Sequence, residues 1–243
     1  MRVKQNRVMK AGPLYRQRQV RRWHRVVAMA TSCQLLLWTL SGLYFAFIDI
    51  DYVRGHQFKR AAESSQIDLS LLQVGGISAS KLVIIERRPN EIVLGVHHDD
   101  KIEWRDDEGR PLEPLSSDEA LTVGSAGTVM SLDRFEWVDS EVAGSEYRGA
   151  PLPLWRLWES ANPDRVVYLD AMSGEVVVVR HEAWRWWDFL WSLHIMSYDD
   201  RDTIGTWLLR IFSVLALATA ILGLWLFRDT RRAKRGSVEQ QHP

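Results

Sequence analysis

The chain has 243 residues, a formal net charge of zero and 46% hydrophobic residues, and these averages are ordinary for a soluble domain. Its single cysteine, Cys33, excludes a disulfide framework and a metal site built from several thiolates. Charge is strongly segregated, because residues 1–25 carry nine Lys or Arg and no acidic residue, whereas residues 49–203 carry 16 basic and 29 acidic residues.

The first two segments predict a cytoplasmic tail and a membrane anchor. Residues 1–25 alone could indicate nucleic-acid binding, but they lead directly into residues 26–48, a run of 23 residues without a charge. About 20 apolar residues cross the hydrocarbon core of a bilayer, and a basic flank marks the cytoplasmic side. We therefore predict transmembrane helix 1 at residues 26–48, and no nucleic-acid partner. The run exceeds a signal-peptide core and lacks a clear cleavage site before Asp49, so we expect a retained anchor.

Residues 49–182 predict an α+β domain outside the membrane. A helix is expected around residues 68–74, followed by antiparallel strands at residues 81–87, 91–97 and 101–105. A second half repeats this order, with a short helix starting at residue 117 and strands at residues 154–159, 165–170 and 175–180. The strands are β-branched runs separated by Pro, Asn and Gly turn signals. Residues 124–150 give no clear pattern.

Residues 183–200 predict an amphipathic aromatic helix. Trp184, Trp187, Trp191 and His194 follow offsets of three and four and so share one helical face, while Asp188 and Ser192 fall elsewhere. We expect the aromatic face to lie on the membrane surface.

Residues 204–227 predict transmembrane helix 2, with Arg210 as its only charge. Residues 228–243 form a second basic cytoplasmic tail. Both termini are therefore expected in the cytoplasm, with residues 49–182 outside the cytoplasmic membrane, in the periplasm of a cell that has one. The lipid bilayer is one expected partner.

Several motifs resemble the PepSY-associated transmembrane proteins. The first span begins R-R-W-H-R at residues 21–25 and ends L-S-G-L at residues 40–43. P-L-P-L-W-R-L at residues 151–157 and R-V-V-Y-L-D-A-M-S-G-E-V-V at residues 165–177 resemble the end of a PepSY domain. L-H at residues 193–194, with I-G-T-W-L-L-R and L-G-L-W after it, is similar to the family's second helix. The resemblance implies a PepSY-like domain flanked by two membrane helices.

The resemblance also suggests a haem site, since larger members resemble ferric or siderophore reductases that hold haem between membrane histidines. His194, His24 and Arg210 are the candidates, with Arg210 meeting a propionate. His24 precedes the first span on the inner side and His194 precedes the second on the outer side, and a helix of that length rises roughly 30 Å, so the two cannot share an iron. A homodimer or a partner subunit would have to bring the second ligand. Packing or interfacial roles are the alternatives for all three residues.

Two further groups of residues could be interpreted as metal sites, with less support than the haem candidates. His97 and His98 are adjacent on a predicted strand, so their side chains point to opposite faces and we expect no metal site there. Asp199, Asp200 and Asp202 could offer oxygen ligands to a cation such as Ca²⁺, but a charged loop at the membrane surface explains them as well.

No nucleophile with a base, phosphate loop or zinc motif is evident in the sequence. We therefore expect a membrane-anchored accessory protein whose outer domain binds a protein or peptide partner, with no catalysis of its own. The first alternative is a haem-binding electron-transfer subunit of a ferric or siderophore-iron reductase or uptake system. The second is a regulator of a secreted peptidase, a role that the PepSY resemblance implies.

Overall fold

The structure is a computed structural model, and it describes residues 13–61, 79–99, 101–198, 204–221 and 224. The chain divides into a first unit, made of residues 1–44 and 191–243, whose described part is mainly helical, and a central domain, made of residues 45–190. The helices are α1 Pro13–Phe47, α2 Ile50–Val53, α3 Ser117–Ala126, α4 Glu182–Ile195 and α5 Trp207–Ile221, with a 3-10 turn at His56–Phe58. Two antiparallel sheets accompany them, so the predicted α+β class is confirmed.

Helix α1 is longer than predicted at its amino-terminal end. Residues 13–25, which we predicted only as part of a basic cytoplasmic tail, are helical and continuous with the predicted span. Proline suits the first turn of a helix, where its missing N–H would have no intrahelical acceptor, and the Leu, Arg and Gln residues that follow are good helix formers. Within α1, Arg25–Phe47 is long and apolar enough to cross a membrane, in agreement with the predicted first span.

Helix α5 matches the predicted second span only in part. It is apolar, but its described length is shorter than a bilayer crossing needs, and α1 contains the one sufficiently long apolar helix among the described residues. Part of the predicted range 204–227 lies outside those residues. The second span therefore stays a prediction.

The first sheet of the central domain has three strands in the order β1-β2-β3. The strands are β1 Lys81–Arg88, β2 Glu91–His98 and β3 Lys101–Asp106. All three were predicted to within one residue at each end. Asn90 closes the first hairpin with φ 66°, a left-handed conformation that asparagine tolerates better than most residues. The helix predicted at residues 68–74 lies outside the described residues.

The second sheet has four strands in the order β4-β5-β6-β7. The strands are β4 Arg134–Val138, β5 Leu154–Glu159, β6 Asn162–Asp170 and β7 Val176–Arg180. Helix α3 precedes them, as the predicted second half requires, but it runs to Ala126 and β4 was not predicted at all. The side chain of Ser116 and the side chain of Glu119 bond to each other's backbone N–H groups, a capping box that fixes where α3 begins.

The main hydrophobic core lies between α3 and the second sheet. Its buried members are Leu115, Ala120, Met130, Leu132, Trp155, Leu157, Val167, Leu169, Ala171 and Val179. Gly124 allows α3 to approach the sheet closely, because a Cβ there would lie 2.7 Å from Leu157 Cδ1 and 2.9 Å from Leu132 Cδ1. A larger residue at this position would therefore force the side chains of Leu157 and Leu132 to move.

A buried arginine connects the two sheets. Arg87 on β1 donates Nε and Nη2 to the two carboxylate oxygens of Glu91, at 3.2 and 2.7 Å. Its Nη1 donates to the backbone oxygens of Glu113 and Met172, at 3.0 and 3.2 Å, and Met172 lies in the β6–β7 turn. All three guanidinium nitrogens of Arg87 thus donate hydrogen bonds, and these bonds connect the first sheet to the second.

The neighbouring residue extends this connection to α3. Arg88 donates to Glu91 and to Glu119, so both carboxylates have an ionic partner. Hydrogen bonding from Arg88 lowers the pKa of Glu91 to about 2, and hydrogen bonds from the backbone and side chain of Ser116 lower the pKa of Glu119 to about 2. Both groups therefore carry charge throughout the neutral range.

Candidate functional site

The predicted site residue His194 lies near the end of α4 and is held by α1. Its Nδ1 is 2.8 Å from Ser41 Oγ, and its backbone oxygen accepts a hydrogen bond from Trp38 Nε1 at 2.8 Å. Both α1 residues lie three positions apart on one helical face, and Ser41 is buried. The contact of Ser41 with the histidine is a finding of the structure that was not predicted from the sequence.

The hydroxyl of Ser41 lies within hydrogen-bond distance of both the backbone oxygen of Leu37 and His194 Nδ1, so the acceptor of its hydrogen is linked to the tautomer of the histidine. A serine hydroxyl has one hydrogen, and Ser41 Oγ lies 2.7 Å from the backbone oxygen of Leu37, one turn earlier in α1. With that hydrogen given to Leu37, the contact with His194 requires Nδ1–H to donate to the serine oxygen. The lone pair of the imidazole is then on Nε2, the arrangement that orients a histidine for a metal.

Aromatic rings surround this imidazole. Trp191 lies nearly parallel to the His194 ring, at 7° and a centroid separation of 6.3 Å, and Trp38 lies at 6.4 Å with a tilt of 49°. Burial lowers the pKa of His194 below its usual value of 6.5. The neutral imidazole therefore predominates at neutral pH.

The three candidate haem residues are not brought together. The backbone of His24 lies 17 residues before Ser41 in the same continuous helix, a rise of about 25 Å, although its side chain is outside the described part of the chain. Arg210 lies exposed in the fourth position of α5, and its Nη2 is near Gly205. His24 and His194 are thus not brought together, and the need for a second chain to bring the other haem ligand stays a prediction.

The aromatic face of α4 differs from the prediction. Trp184 is buried, and Asp188 and Ser192, which we placed away from that face, are buried as well. Trp186 and Phe189 are instead 54% and 49% exposed, and their rings meet edge to face. The spacing of the aromatic residues correctly predicted a helix. The prediction that Trp184 faces the membrane is wrong, because this side chain is buried in the protein.

The cause is a charged cluster that packs around Trp184. The guanidinium carbon of Arg180 lies 4.1 Å from the ring centroid and that of Arg148 lies 5.3 Å from it, so the ring is in cation–π contact with two arginines. Arg148 forms an ion pair with the buried Asp188, which explains why an acidic residue occupies the inner face. Burial, followed by the charge of Arg148, lowers the pKa of Arg180 to about 10.

The weaker metal readings gain no support. His97 and His98 are consecutive residues of β2, as predicted, and no group of three His, Cys, Asp or Glu that could hold a metal occurs in the part of the chain that the structure describes. Asp199, Asp200 and Asp202 lie outside that part.

A second candidate site, missed from the sequence, lies on β4. Phe135 and Trp137 point to the same side of the strand and are 46% and 39% exposed; we call this pair the aromatic ledge. Both rings meet the buried Trp155 edge to face, at centroid distances of 5.7 and 4.8 Å. The aromatic ledge thus extends the apolar surface of the core to a solvent-exposed position on the sheet. The alternation of Phe135, Glu136 and Trp137 is the sequence signal that could have identified it.

Comparisons with known proteins give no match: no family model, no curated protein and no solved structure matches this chain. The PepSY resemblance accordingly rests on its motifs. Those at residues 151–157 and 165–177 fall on β5 and on the hairpin between β6 and β7.

Proposed function

We propose that the chain is a membrane-anchored accessory protein, with a PepSY-like central domain outside the cytoplasmic membrane that binds a protein or peptide partner and catalyses no reaction of its own. The observation that carries this proposal is the aromatic ledge of Phe135 and Trp137. Large aromatic side chains left exposed beside a well-packed core are typical of interaction surfaces.

The anchor is the helix Arg25–Phe47. Its outward side chains are large and apolar, among them Leu36, Leu40, Leu43 and Phe47. The contacts of Trp38 and Ser41 with His194 involve residues more than 150 positions apart in the sequence, which favours a retained helix over a cleaved signal peptide. The basic residues before Arg25 place the amino terminus in the cytoplasm under the positive-inside rule. With the predicted second span, both termini are cytoplasmic.

The bilayer surface contacts the outer face of α4 in this proposal. Trp186 and Phe189 are exposed there, and the neighbouring Trp187 packs on Phe45 at a centroid distance of 5.3 Å. Phe45 belongs to the last turn of the candidate span, so this contact keeps α4 at the level where the chain leaves the membrane. Tryptophan and other aromatic side chains are enriched at that depth.

Affinity purification of the full-length, tagged chain from solubilised membranes tests the proposal. A single partner polypeptide should be recovered in stoichiometric amount. The matched control is Gly124→Leu, which places a side chain where Leu157 Cδ1 lies within 2.7 Å of a Cβ, and so disrupts the central domain while leaving α1 unchanged. Recovery of the bare wild-type chain, or equal recovery of the partner with Gly124→Leu, would contradict a domain that binds a partner.

A second candidate function is a haem-binding electron-transfer subunit, favoured by the contact of His194 Nδ1 with Ser41 Oγ, which orients the imidazole. Haem, when bound, would supply one-electron transfer, and two copies of the chain would each contribute one imidazole. The absorption spectrum of the protein purified after expression with haem should show a Soret band that disappears in His194→Ala and persists in His56→Ala, a change at an exposed histidine. No band, or a band unaffected by His194→Ala, would exclude this function at that residue.

A further inference from the structure

The outer edge of β4 is open. All five residues of β4 pair with β5, and no strand within the described residues pairs with its other side. An edge of this kind presents backbone N–H and C=O groups that an extended chain can bond. The opposite edge of the same sheet is different, because Lys59 Nζ donates to the backbone oxygens of Val176 and Val177 on β7, at 2.9 and 3.1 Å.

The side chains beside this edge are chemically distinct on the two faces of the sheet. One face presents the aromatic ledge, whose rings are supported from behind by Trp155. The other face presents Arg134, Glu136 and Val138, and Glu136 pairs with Arg156 of β5 at 2.7 Å. A strand added at β4 would therefore meet the aromatic ledge with every second side chain, and with the others a face on which the carboxylate of Glu136 lies between Arg134 and Val138.

The surroundings of β4 are acidic. Exposed carboxylates flank and interrupt the strand at Asp133, Glu136, Asp139 and Glu141, and Arg134 is the only basic residue among residues 133–142. This excess of negative charge selects for a basic partner and also disfavours contact with an anionic lipid surface.

We propose that β4 binds an extended, basic segment of the partner polypeptide by strand addition, with apolar side chains on the aromatic ledge and Lys or Arg side chains towards Glu136. The inference rests on the proposed function and adds to it the place of binding and the chemical class of the ligand. Main-chain hydrogen bonds supply affinity in this mode, and the alternating side chains supply selectivity.

Binding of a defined peptide to the full-length protein in detergent micelles tests the inference. The probe is a fluorescent Lys-Val-Lys-Val-Lys-Val amide, followed by anisotropy, and Glu-Val-Glu-Val-Glu-Val is its charge-reversed counterpart. The basic probe should bind saturably and the acidic probe should not. Trp137→Ser should weaken binding at least about ten-fold, because a tryptophan at the centre of an interface commonly dominates its energy. Ile102→Ser, a change at a residue of similar exposure on β3, should leave binding within about two-fold.

Backbone methylation distinguishes strand addition, which needs main-chain hydrogen bonds, from a purely electrostatic attraction between the basic peptide and the acidic surface. Alternate residues of a strand turn their N–H groups to the same side, so a probe N-methylated on its three valines and one N-methylated on its three lysines should differ, with one binding and the other not. Absence of saturable binding, equal binding of the two methylated probes, or equal loss in Ile102→Ser would overturn the inference. A natural partner that still purifies with Trp137→Ser would also overturn it, while leaving the proposed function intact.

Discussion

Replacing the buried Arg87 is the sharpest test of how the central domain is held together. Arg87→Met keeps an aliphatic stem of similar length but removes the guanidinium, whose side chain is only 6% exposed. The change removes two hydrogen bonds from Glu91 and leaves the backbone oxygens of Glu113 and Met172 without their donor.

The expected loss of unfolding free energy is about 3 kcal/mol. Breaking a buried ion pair by removing one partner costs about 3–5 kcal/mol, and the lower end applies because Glu91 keeps its bond to Arg88. An orphaned buried carbonyl adds on the order of 1 kcal/mol where water cannot reach it. A loss of this size is a large fraction of the ~5–15 kcal/mol that stabilises a typical domain.

Denaturant unfolding of the full-length protein in micelles, followed by tryptophan fluorescence, measures this loss. The matched control is Arg110→Met, which removes another arginine four residues from its carboxylate partner, Asp106. Arg110 is 67% exposed, so solvent screens its pair and the pair should contribute little to the free energy of unfolding. If Arg87→Met destabilised the protein no more than Arg110→Met, the assignment of Arg87 as the link between the two sheets would be wrong.

Three further predictions follow from the structure. The pKa of Glu119 is about 2 against 4.5 for the free group, so its hydrogen bonds from Ser116 and its ion pair with Arg88 stabilise the fold above pH 4.5 and lose this effect as the pH falls towards 2; the denaturation midpoint of Glu119→Gln should depend less on pH over that interval than that of the wild type. Gly124→Ala should destabilise the protein by about 1–3 kcal/mol, because its Cβ would overlap Leu157, and a loss below ~0.5 kcal/mol in thermal or chemical unfolding would contradict the packing described. Ser41→Ala should remove the acceptor of His194 Nδ1–H, and nitrogen NMR of histidine-labelled protein should show the Nδ1–H tautomer giving way to a mixture; an unchanged tautomer would refute the assignment.

Much of the central domain could be predicted because its signals are local. The three strands of the first sheet alternate β-branched residues between clear turn residues, and their predicted bounds agree with the structure to within a residue. Strand β4 could not be found in this way. It has five residues, lies between glycine and acidic stretches, and owes its conformation to pairing with β5, some twenty positions later.

The candidate sites were predictable only in part, because their partners are distant in sequence. His194 was identified from the motif that contains it, whereas Ser41, 153 residues earlier, gave no sign that it would contact the imidazole. The inner face of α4 was misread for the same reason. Asp188 looks like an outward residue in isolation, and only the ion pair with Arg148 makes its burial favourable.

The position of Lys59 on β7 limits the kinds of assembly that this chain can form. Growth of an open filament from identical sheets requires each molecule to offer two complementary edges, one to receive a neighbour and one to be received. Lys59 occupies carbonyls of β7, so head-to-tail stacking of β7 on β4 is obstructed. Association through β4 therefore stops once a single ligand strand, or the β4 strand of a second copy of the chain, has paired with it. A chain built in this way can keep the β4 edge open for a ligand strand without polymerising through this sheet.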